Sequence, residues 1–585
     1  MVSDAHPMPG ASAAQPRARV APQFTVREWV LVGAVALVVL VITGLPYVYA
    51  YRIAPPDTRF MGVAVNIPDH YQYFSWMRES WDKVLVPNQM TPEPSTPLLF
   101  NFLWWTLGRI QAATGLDTGA LYQLTRLLAG AFAMASIYGF CSVIFTDRAK
   151  RFTAFLVGVL GSGLGWVWVV EKYLSDLPGV RYPFDVFTAE PNTFYTIMGF
   201  PHFTIATGLI ALIFALTLLA QRSQNLRYSW AAAAVTLLLS VQHAYDMFTI
   251  YGVIGLYGLF IWLRDRRFPL FLFKTGVIIV LVSVWPALQA FLITNADPVW
   301  KGVLEQFDNA GAWTPGPLNL PLLMGLGWLL AIWALDIRTP WRDRDDTHLF
   351  VLAWFLAHFV LIYLPFNFQI HLLSGWQVVI GVLATIGLYR RVLPWLARRF
   401  PRISRTRLVW IASAALVLVV LPTNVYLLAQ RFLDIRRAQQ FPLEKTTGDT
   451  ELSRSDNLLF LLTEEVEALN FLAARAAGDD VVFASLEIGQ FVPALTGARA
   501  FLAHWAQTLD FYGKREMVQA FFDDATDDAE RRRILADYSV DYLIYSPEEA
   551  KLGAYDPADA PYLVEMFRDG PVVVYQIETG LLASG

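Results

Sequence analysis

The chain has 585 residues, of which 55% are apolar and 16% are charged. Its mean hydropathy of +0.42 is too high for a chain that is soluble throughout, because soluble proteins are about 45–50% apolar and about 25% charged. The net charge of −4 gives no basic surface for nucleic acid. Cys141 is the single cysteine, which excludes an intrachain disulfide and a cysteine-based zinc site. Composition therefore predicts a polytopic membrane protein.

Eleven apolar segments are long enough to cross a membrane, which takes about 20 residues. Residues 1–27 precede them and are rich in Ala, Pro and Arg, which predicts a disordered tail. The segment 98–114 is shorter, aromatic and contains Arg109, so we expect it to lie in the interface. The predicted spans lie near 29–50, 121–145, 152–172, 202–220, 229–245, 247–263, 271–293, 318–335, 348–364, 374–389 and 407–428.

The basic residues predict the orientation of these spans. With the N-terminus in the cytoplasm, the inner loops hold Arg clusters such as 148–151, 264–267 and 398–405. Cytoplasmic loops of membrane proteins carry an excess of Lys and Arg. A crossing by 98–114 would move all later basic loops to the outer side, so we expect eleven spans and an outer C-terminal segment.

The C-terminal segment 429–585 differs from the rest in charge and in pattern. It contains 27 acidic and 14 basic residues, and its helical and strand-like stretches alternate, which predicts a small α/β domain. We therefore expect three parts: the cytoplasmic tail 1–27, a membrane domain 28–428 with a first outer loop 51–120, and an extracytoplasmic domain 429–585.

The first outer loop contains the run Pro68–Glu79, which includes Asp69, His70 and Tyr73. Its carboxylate could accept a proton from a hydroxyl nucleophile or bind a metal, with His70 as a second ligand. His70 and Tyr73 are also candidates for contact with the substrate. The alternative is an acidic N-cap on an amphipathic interfacial helix.

Other polar residues also gather on the predicted outer side. Their plain interpretation is turn polarity or, for Arg126, a side chain that snorkels to the interface. The functional interpretation is that they contact a substrate, since Arg gives phosphate a permanent charge and His can donate to it. These residues are Glu190, Asn192, His202, His243, Asp246, His371, Arg126, Arg499, His504 and Trp505.

In its layout the chain resembles the GT-C superfamily of polytopic glycosyltransferases. The resemblance rests on the inner N-terminus, about eleven spans, an acid in a long first outer loop, an interfacial helix and an outer C-terminal domain. The segments 69–78, 190–203 and 497–508 also look like those of bacterial membrane proteins of this superfamily. The family often has two adjacent acids where this chain has Asp69 and His70, and the Trp-Trp-Asp motif of oligosaccharyltransferases is missing because Thr106 follows Trp104 and Trp105.

The resemblance implies an inverting sugar transfer from a polyprenyl-phosphate donor to a lipid or glycan acceptor at the outer face of the cell membrane. Asp69 would take the place of the first-loop acid, with Glu190 as a second catalytic residue that positions the cations or the acceptor. It leaves the cofactor open, with Mg or Mn as the candidate cations at Asp69 and His70. A secondary transporter or a flippase of lipid-linked glycans is the alternative, although such proteins place polar residues near the middle of the bilayer.

Overall fold

The computed structural model describes residues 24–175, 184–307, 313–336, 339–440 and 458–582. Most of the predicted tail 1–27 lies outside these ranges. The first part of the chain is helical, with α1 (Val26–Ile53), α2 (Ile67–Glu79), α3 (Phe102–Thr114), α4 (Thr118–Ile144), α5 (Arg148–Leu160), α6 (Gly165–Ser175), α7 (Thr193–Gly199), α8 (Pro201–Ser223), α9 (Leu226–Ser240), α10 (Asp246–Asp265), α11 (Leu270–Ala296), α12 (Pro298–Phe307), α13 (Leu320–Ala334), α14 (Asp346–Leu361), α15 (Trp376–Gly387), α16 (Leu393–Arg399), α17 (Arg405–Val420) and α18 (Pro422–Gln440).

Within the described ranges, seven helical segments are long and apolar enough to cross a membrane, or up to nine when each of two bent pairs counts as one span. The bent pairs are α5 with α6 and α17 with α18. The two other predicted spans form α9 and α14, which have only 15 and 16 residues. The prediction of a multi-pass helical membrane protein is confirmed, with fewer full-length spans than the eleven expected.

The predicted span 152–172 is interrupted by the run Gly161–Gly165, which separates α5 from α6. The carboxylate of Asp185 lies at this break, where its Oδ2 accepts a hydrogen bond from the backbone N–H of Gly165 at 2.8 Å. A Cβ atom at Gly163 or Gly165 would come within 2.3 Å of this carboxylate. The two glycines therefore allow a buried acid to sit against the end of a membrane helix.

The C-terminal part is an α/β domain, as predicted. Its five-stranded sheet has the order β4-β3-β5-β7-β6, with parallel pairing of β3 with β4 and β5 and antiparallel pairing of β7 with β5 and β6. Its elements are β2 (Phe460–Leu462), α19 (Thr463–Ala473), β3 (Val481–Phe483), α20 (Leu486–Gly489), α21 (Val492–Thr496), β4 (Arg499–Ala500), α22 (Phe511–Phe522), α23 (Asp528–Asp537), β5 (Tyr542–Tyr545), α24 (Pro547–Ala550), β6 (Leu563–Asp569), β7 (Val572–Ile577) and α25 (Thr579–Leu582).

The first outer loop packs against this domain. Strand β1 (Thr58–Phe60) pairs with β2 in antiparallel register. Tyr71 of α2 lies against Phe491, with ring centroids 4.2 Å apart, and both rings belong to one buried apolar cluster. The apolar side of α2 is thus covered by the C-terminal domain.

Two buried carboxylates lie near the carboxyl ends of β3 and β5. Glu549 accepts hydrogen bonds from the N–H groups of Ser485 and Ser546. Glu465 is 1% exposed, and its Oε2 accepts one hydrogen bond, from the N–H of Leu462. Burial, together with the charge of the neighbouring Glu549, raises the pKa of Glu465 to about 8.

This raised pKa predicts how stability depends on pH. Between about 4.5, the ordinary pKa of the residue, and about 8, the folded chain keeps a proton that the unfolded chain has released. Stability must therefore fall as pH rises through this window. Glu465→Gln removes the ionisation, so its melting temperature should fall less than that of the wild type between pH 5 and pH 9.

The measurement is thermal unfolding of the detergent-solubilised protein at several pH values. Glu467→Gln is the matched control, because Glu467 is on the same helix but is 41% exposed. Equal pH dependence of melting in the wild type and in Glu465→Gln would contradict this assignment.

Candidate functional site

Asp69 lies in the first turn of α2, and the N-cap of that helix is Asn66. Asn66 adopts a left-handed conformation, with φ of 43°, which asparagine tolerates better than most residues. Its side-chain amide donates to Asp69 Oδ2 at 2.5 Å. His504 Nε2 is 2.9 Å from the other oxygen, Oδ1. Asp69 is therefore not the cap of the helix, and partners from two parts of the chain hold its carboxylate.

These contacts determine the charge of Asp69. Burial by itself would raise its pKa, but the hydrogen bond from His504, with smaller effects of His70 and Asn66, holds that pKa below its ordinary value. The side chain remains 28% exposed. An ionised carboxylate with spare lone pairs is thus presented to a ligand, since each oxygen can accept more than one hydrogen bond.

His70 faces a different environment from its neighbour Asp69. Its Nδ1 bonds with the carbonyl oxygen of Asn66 at 2.8 Å, and its ring packs on Tyr122 and Phe200. Burial lowers the pKa of His70, which favours its neutral form. In the part of the chain that is described, no three His, Cys, Asp or Glu side chains are placed to hold one metal ion. The side chains proposed for Mg or Mn, Asp69 and His70, are thus turned to separate partners.

An aromatic wall continues from α2 into the membrane domain. The rings of Tyr73 and Trp104 are stacked, with centroids 4.8 Å apart and planes inclined by 7°. His202 and Tyr73 pack edge to face, and their ring centroids are 4.7 Å apart. This wall joins the first outer loop to the start of α8.

Two imidazole–carboxylate pairs lie beyond this wall. His243 Nδ1 is 2.9 Å from Asp246 Oδ2, and His371 Nδ1 is 2.9 Å from Glu190 Oε1. A carboxylate that accepts from Nδ1–H fixes the ring and directs Nε2 to the opposite side. His371 is 17% exposed, so the Glu190 pair can present its second nitrogen to a ligand.

His202 lies between these groups and is 5% exposed. Neither of its ring nitrogens has a hydrogen-bond partner among the described residues. Its ring centroid is 6.4 Å from that of His243, which is 6.1 Å from that of His371. Buried polar atoms usually have partners, so the two nitrogens of His202 are candidates for contact with a polar ligand.

Phe307, at the end of α12, connects the two sides of the site. Its ring stacks on Trp505 of the C-terminal domain at 5.6 Å and on His371 at 6.0 Å between centroids. Trp505 is next to His504, which contacts Asp69. The structure therefore brings together the predicted residues in one region between α2, the adjacent ends of the membrane helices and the C-terminal domain. These residues are Asp69, Tyr73, Glu190, His202, His243, Asp246, His371, His504 and Trp505.

Three predicted substrate contacts have partners within the protein instead. Arg126 is 2% exposed and donates to Gln123, Thr43 and the carbonyl oxygen of Ile197. Asn192 caps α7 and donates to Asn424. Arg499 donates to the carbonyl oxygens of Pro92 and Asp479, which ties the C-terminal domain to the first outer loop.

Sequence reasoning missed Asn66, Trp104 and Phe307 as members of the site. Asn66 lies two residues before Pro68, in a pattern typical of a helix start. This pattern could have identified Asn66 as the N-cap next to Asp69. Trp104 and Phe307 lie in segments whose many aromatic residues are equally consistent with contact to lipid, so the sequence carries no signal that selects them.

Comparison with known proteins shows the fold. No family model matches the chain, and no curated protein matches its sequence. Among solved structures, the Archaeoglobus fulgidus oligosaccharyltransferase in complex with Zn and sulfate is similar, with a TM-score of 0.51 and 12% identity over 92% of this chain and 72% of that one. The same archaeal enzyme, AglB, in complex with an inhibitory peptide and a dolichol-phosphate gives a TM-score of 0.50 and 12% identity, over 87% of this chain and 69% of that one. ArnT from Cupriavidus metallidurans bound to undecaprenyl phosphate gives a TM-score of 0.49 and 14% identity, over 94% of this chain and 98% of that one.

AglB is a GT-C protein. This chain has the GT-C fold. The likeness covers the membrane helices and continues into the C-terminal part, because it extends over 87–92% of the chain. The fold that the resemblance implied is therefore confirmed.

The contacts of Arg126 predict a role in stability. Arg126→Met would leave the carbonyl oxygen of Ile197 and the side chain of Gln123 without their charged donor, and such hydrogen bonds contribute about 1.5–3 kcal/mol each. We expect the melting temperature to fall by about 5 °C or more, whereas Arg405→Met, at an exposed arginine, should have little effect. An unchanged melting temperature together with weaker binding of a phosphorylated lipid would show that Arg126 is a ligand contact.

Proposed function

We propose that this GT-C protein is a membrane glycosyltransferase. It transfers a sugar from a polyprenyl-phosphate donor to a lipid or glycan acceptor, at the outer face of the membrane, with its N-terminus in the cytoplasm. The observation that carries the proposal is the doubly hydrogen-bonded carboxylate of Asp69 in a GT-C fold. Contacts through Tyr73 connect it to a group of three histidines, His202, His243 and His371. The donor class is supported by the AglB complex with a dolichol-phosphate.

Asp69 would act on the acceptor. In glycosyl transfer, the acceptor oxygen forms a bond to the anomeric carbon of the sugar while the bond from that carbon to the phosphate oxygen breaks. The acceptor loses its hydroxyl proton, and a carboxylate within hydrogen-bond distance can orient the hydroxyl and receive the proton. Because each oxygen of Asp69 already accepts a hydrogen bond, the orientation of the carboxylate is fixed before the acceptor binds.

The imidazoles would act on the donor. Negative charge grows on the phosphate as its bond to the sugar breaks, so hydrogen-bond donors must face it. Arg126 and Arg499 are committed to protein acceptors, whereas His202 and His371 retain ring nitrogens for a ligand. Glu190 would orient His371 by holding its Nδ1, which directs Nε2 toward the ligand.

Tyr73 is one helical turn from Asp69 on α2, and its ring contacts both Trp104 and His202. A sugar ring has apolar C–H faces that pack well on aromatic rings. We assign the partly exposed ring of Tyr73, which the buried Trp104 supports, to the transferred sugar. The sugar would then lie between the acceptor hydroxyl at Asp69 and the phosphate at the histidines.

The test is sugar transfer by the purified protein from a short-chain polyprenyl-phosphate sugar. Asp69→Asn keeps the size of the side chain and its contact with Asn66 but removes the charge. We expect turnover to fall by about 10²–10⁴-fold. Asp82→Asn is the matched control, because Asp82 is an exposed acid of the same loop and should keep wild-type turnover.

Both proteins must elute and melt like the wild type for the comparison to hold. Wild-type turnover in Asp69→Asn would remove Asp69 from the mechanism. Transport of the lipid-linked sugar between leaflets without any transfer would favour the flippase instead.

A further inference from the structure

His504 contacts Asp69 from the C-terminal domain, and its hydrogen bonds define its tautomer. The backbone N–H of Ala506 donates to Nδ1 at 3.1 Å, so Nδ1 carries a lone pair. The proton of the neutral ring is then on Nε2, which is 2.9 Å from Asp69 Oδ1. His504 is therefore a hydrogen-bond donor to the carboxylate.

The same contacts leave His504 no capacity for a substrate. Both ring nitrogens are used, and the side chain is only 2% exposed, against 28% for Asp69. A ring in this state neither accepts a proton from an acceptor nor reaches a phosphate. Its effect on a bound substrate must pass through Asp69.

The segment that follows His504 is fixed to the first outer loop. Thr508 Oγ1 accepts hydrogen bonds from the N–H groups of Ala503 and His504 and donates to the carbonyl oxygen of Met90. Lys514 is buried and pairs with Glu93 at 2.6 Å. These contacts hold the imidazole at a constant position relative to α2.

We propose that His504 is the positioning residue of Asp69, so that the C-terminal domain is part of the active site. It donates one hydrogen bond that keeps the carboxylate ionised and directed at the acceptor hydroxyl. The inference rests on the proposed function for the role of Asp69, and it replaces the expectation that His504 binds substrate. Among the described residues, His70 and Tyr73 of α2 are titratable groups that also face Asp69.

The test compares His504→Leu, which removes the donor, with His504→Gln, whose side-chain amide can restore an N–H near the position of Nε2. Activity that needs an ionised Asp69 declines on the acid side of the pH profile. Loss of the donor raises the pKa of Asp69, so in His504→Leu this decline should move to higher pH, and kcat/KM should fall by about tenfold or more at neutral pH. His504→Gln should restore most of the wild-type kcat/KM and bring the acid side of the pH profile back toward that of the wild type.

A second measurement needs no substrate. Water-soluble carbodiimide modifies protonated carboxyl groups, and peptide mass spectrometry follows the modification of Asp69 as pH is varied. The pH at which labelling falls by half should be higher in His504→Leu than in the wild type, with His504→Gln between them. Size-exclusion chromatography and melting curves establish that each variant is folded.

An unchanged labelling midpoint in folded His504→Leu would overturn the inference, and so would a His504→Gln variant that behaves like His504→Leu in labelling. A shifted midpoint in a protein that transfers no sugar from any polyprenyl-phosphate donor would leave the contact intact and overturn the proposed function. The two ideas can therefore fail separately.

Discussion

The docking of the C-terminal domain onto the first outer loop is the interaction on which the candidate site depends. It buries Tyr71 against Phe491, adds β2 to β1 and places His504 on Asp69. Without it, α2 would expose a large apolar surface and Asp69 would lose one of its two donors. The free energy that packs these two parts of the protein together thus also positions the carboxylate.

The second constraint is the cost of polar groups near the membrane. Burying an ionisable side chain there is unfavourable unless it is paired, and most acids and histidines of the site are paired. Glu190 and Asp246 each hold a histidine, and Asp69 holds two donors. His202 departs from this rule in the described structure, since both its ring nitrogens lack partners. That departure makes His202 a candidate contact for a polar ligand.

Much of this was predictable from the sequence, and the failures have physical causes. Apolar length and Arg-rich loops predicted the helices, but the break at Gly161–Gly165 depends on Asp185, about 20 residues away along the chain. The polar residues that gather on the predicted outer side of the membrane indicated the region of the site. The pairing of Asp69 with His504 spans 435 positions, and no periodicity or spacing encodes a contact of that range. Arg126 was predicted as a ligand contact by its charge, while its acceptors on α1 and near α7 are visible only after packing.

The most direct test of the account is a cryo-electron microscopy map of the protein in lipid nanodiscs with a bound polyprenyl-phosphate sugar. We expect density for the phosphate within hydrogen-bond distance of His202 or His371 and for the sugar against Tyr73, with Asp69 facing the anomeric carbon. Phosphate density in a different place, away from this group of histidines, would contradict it.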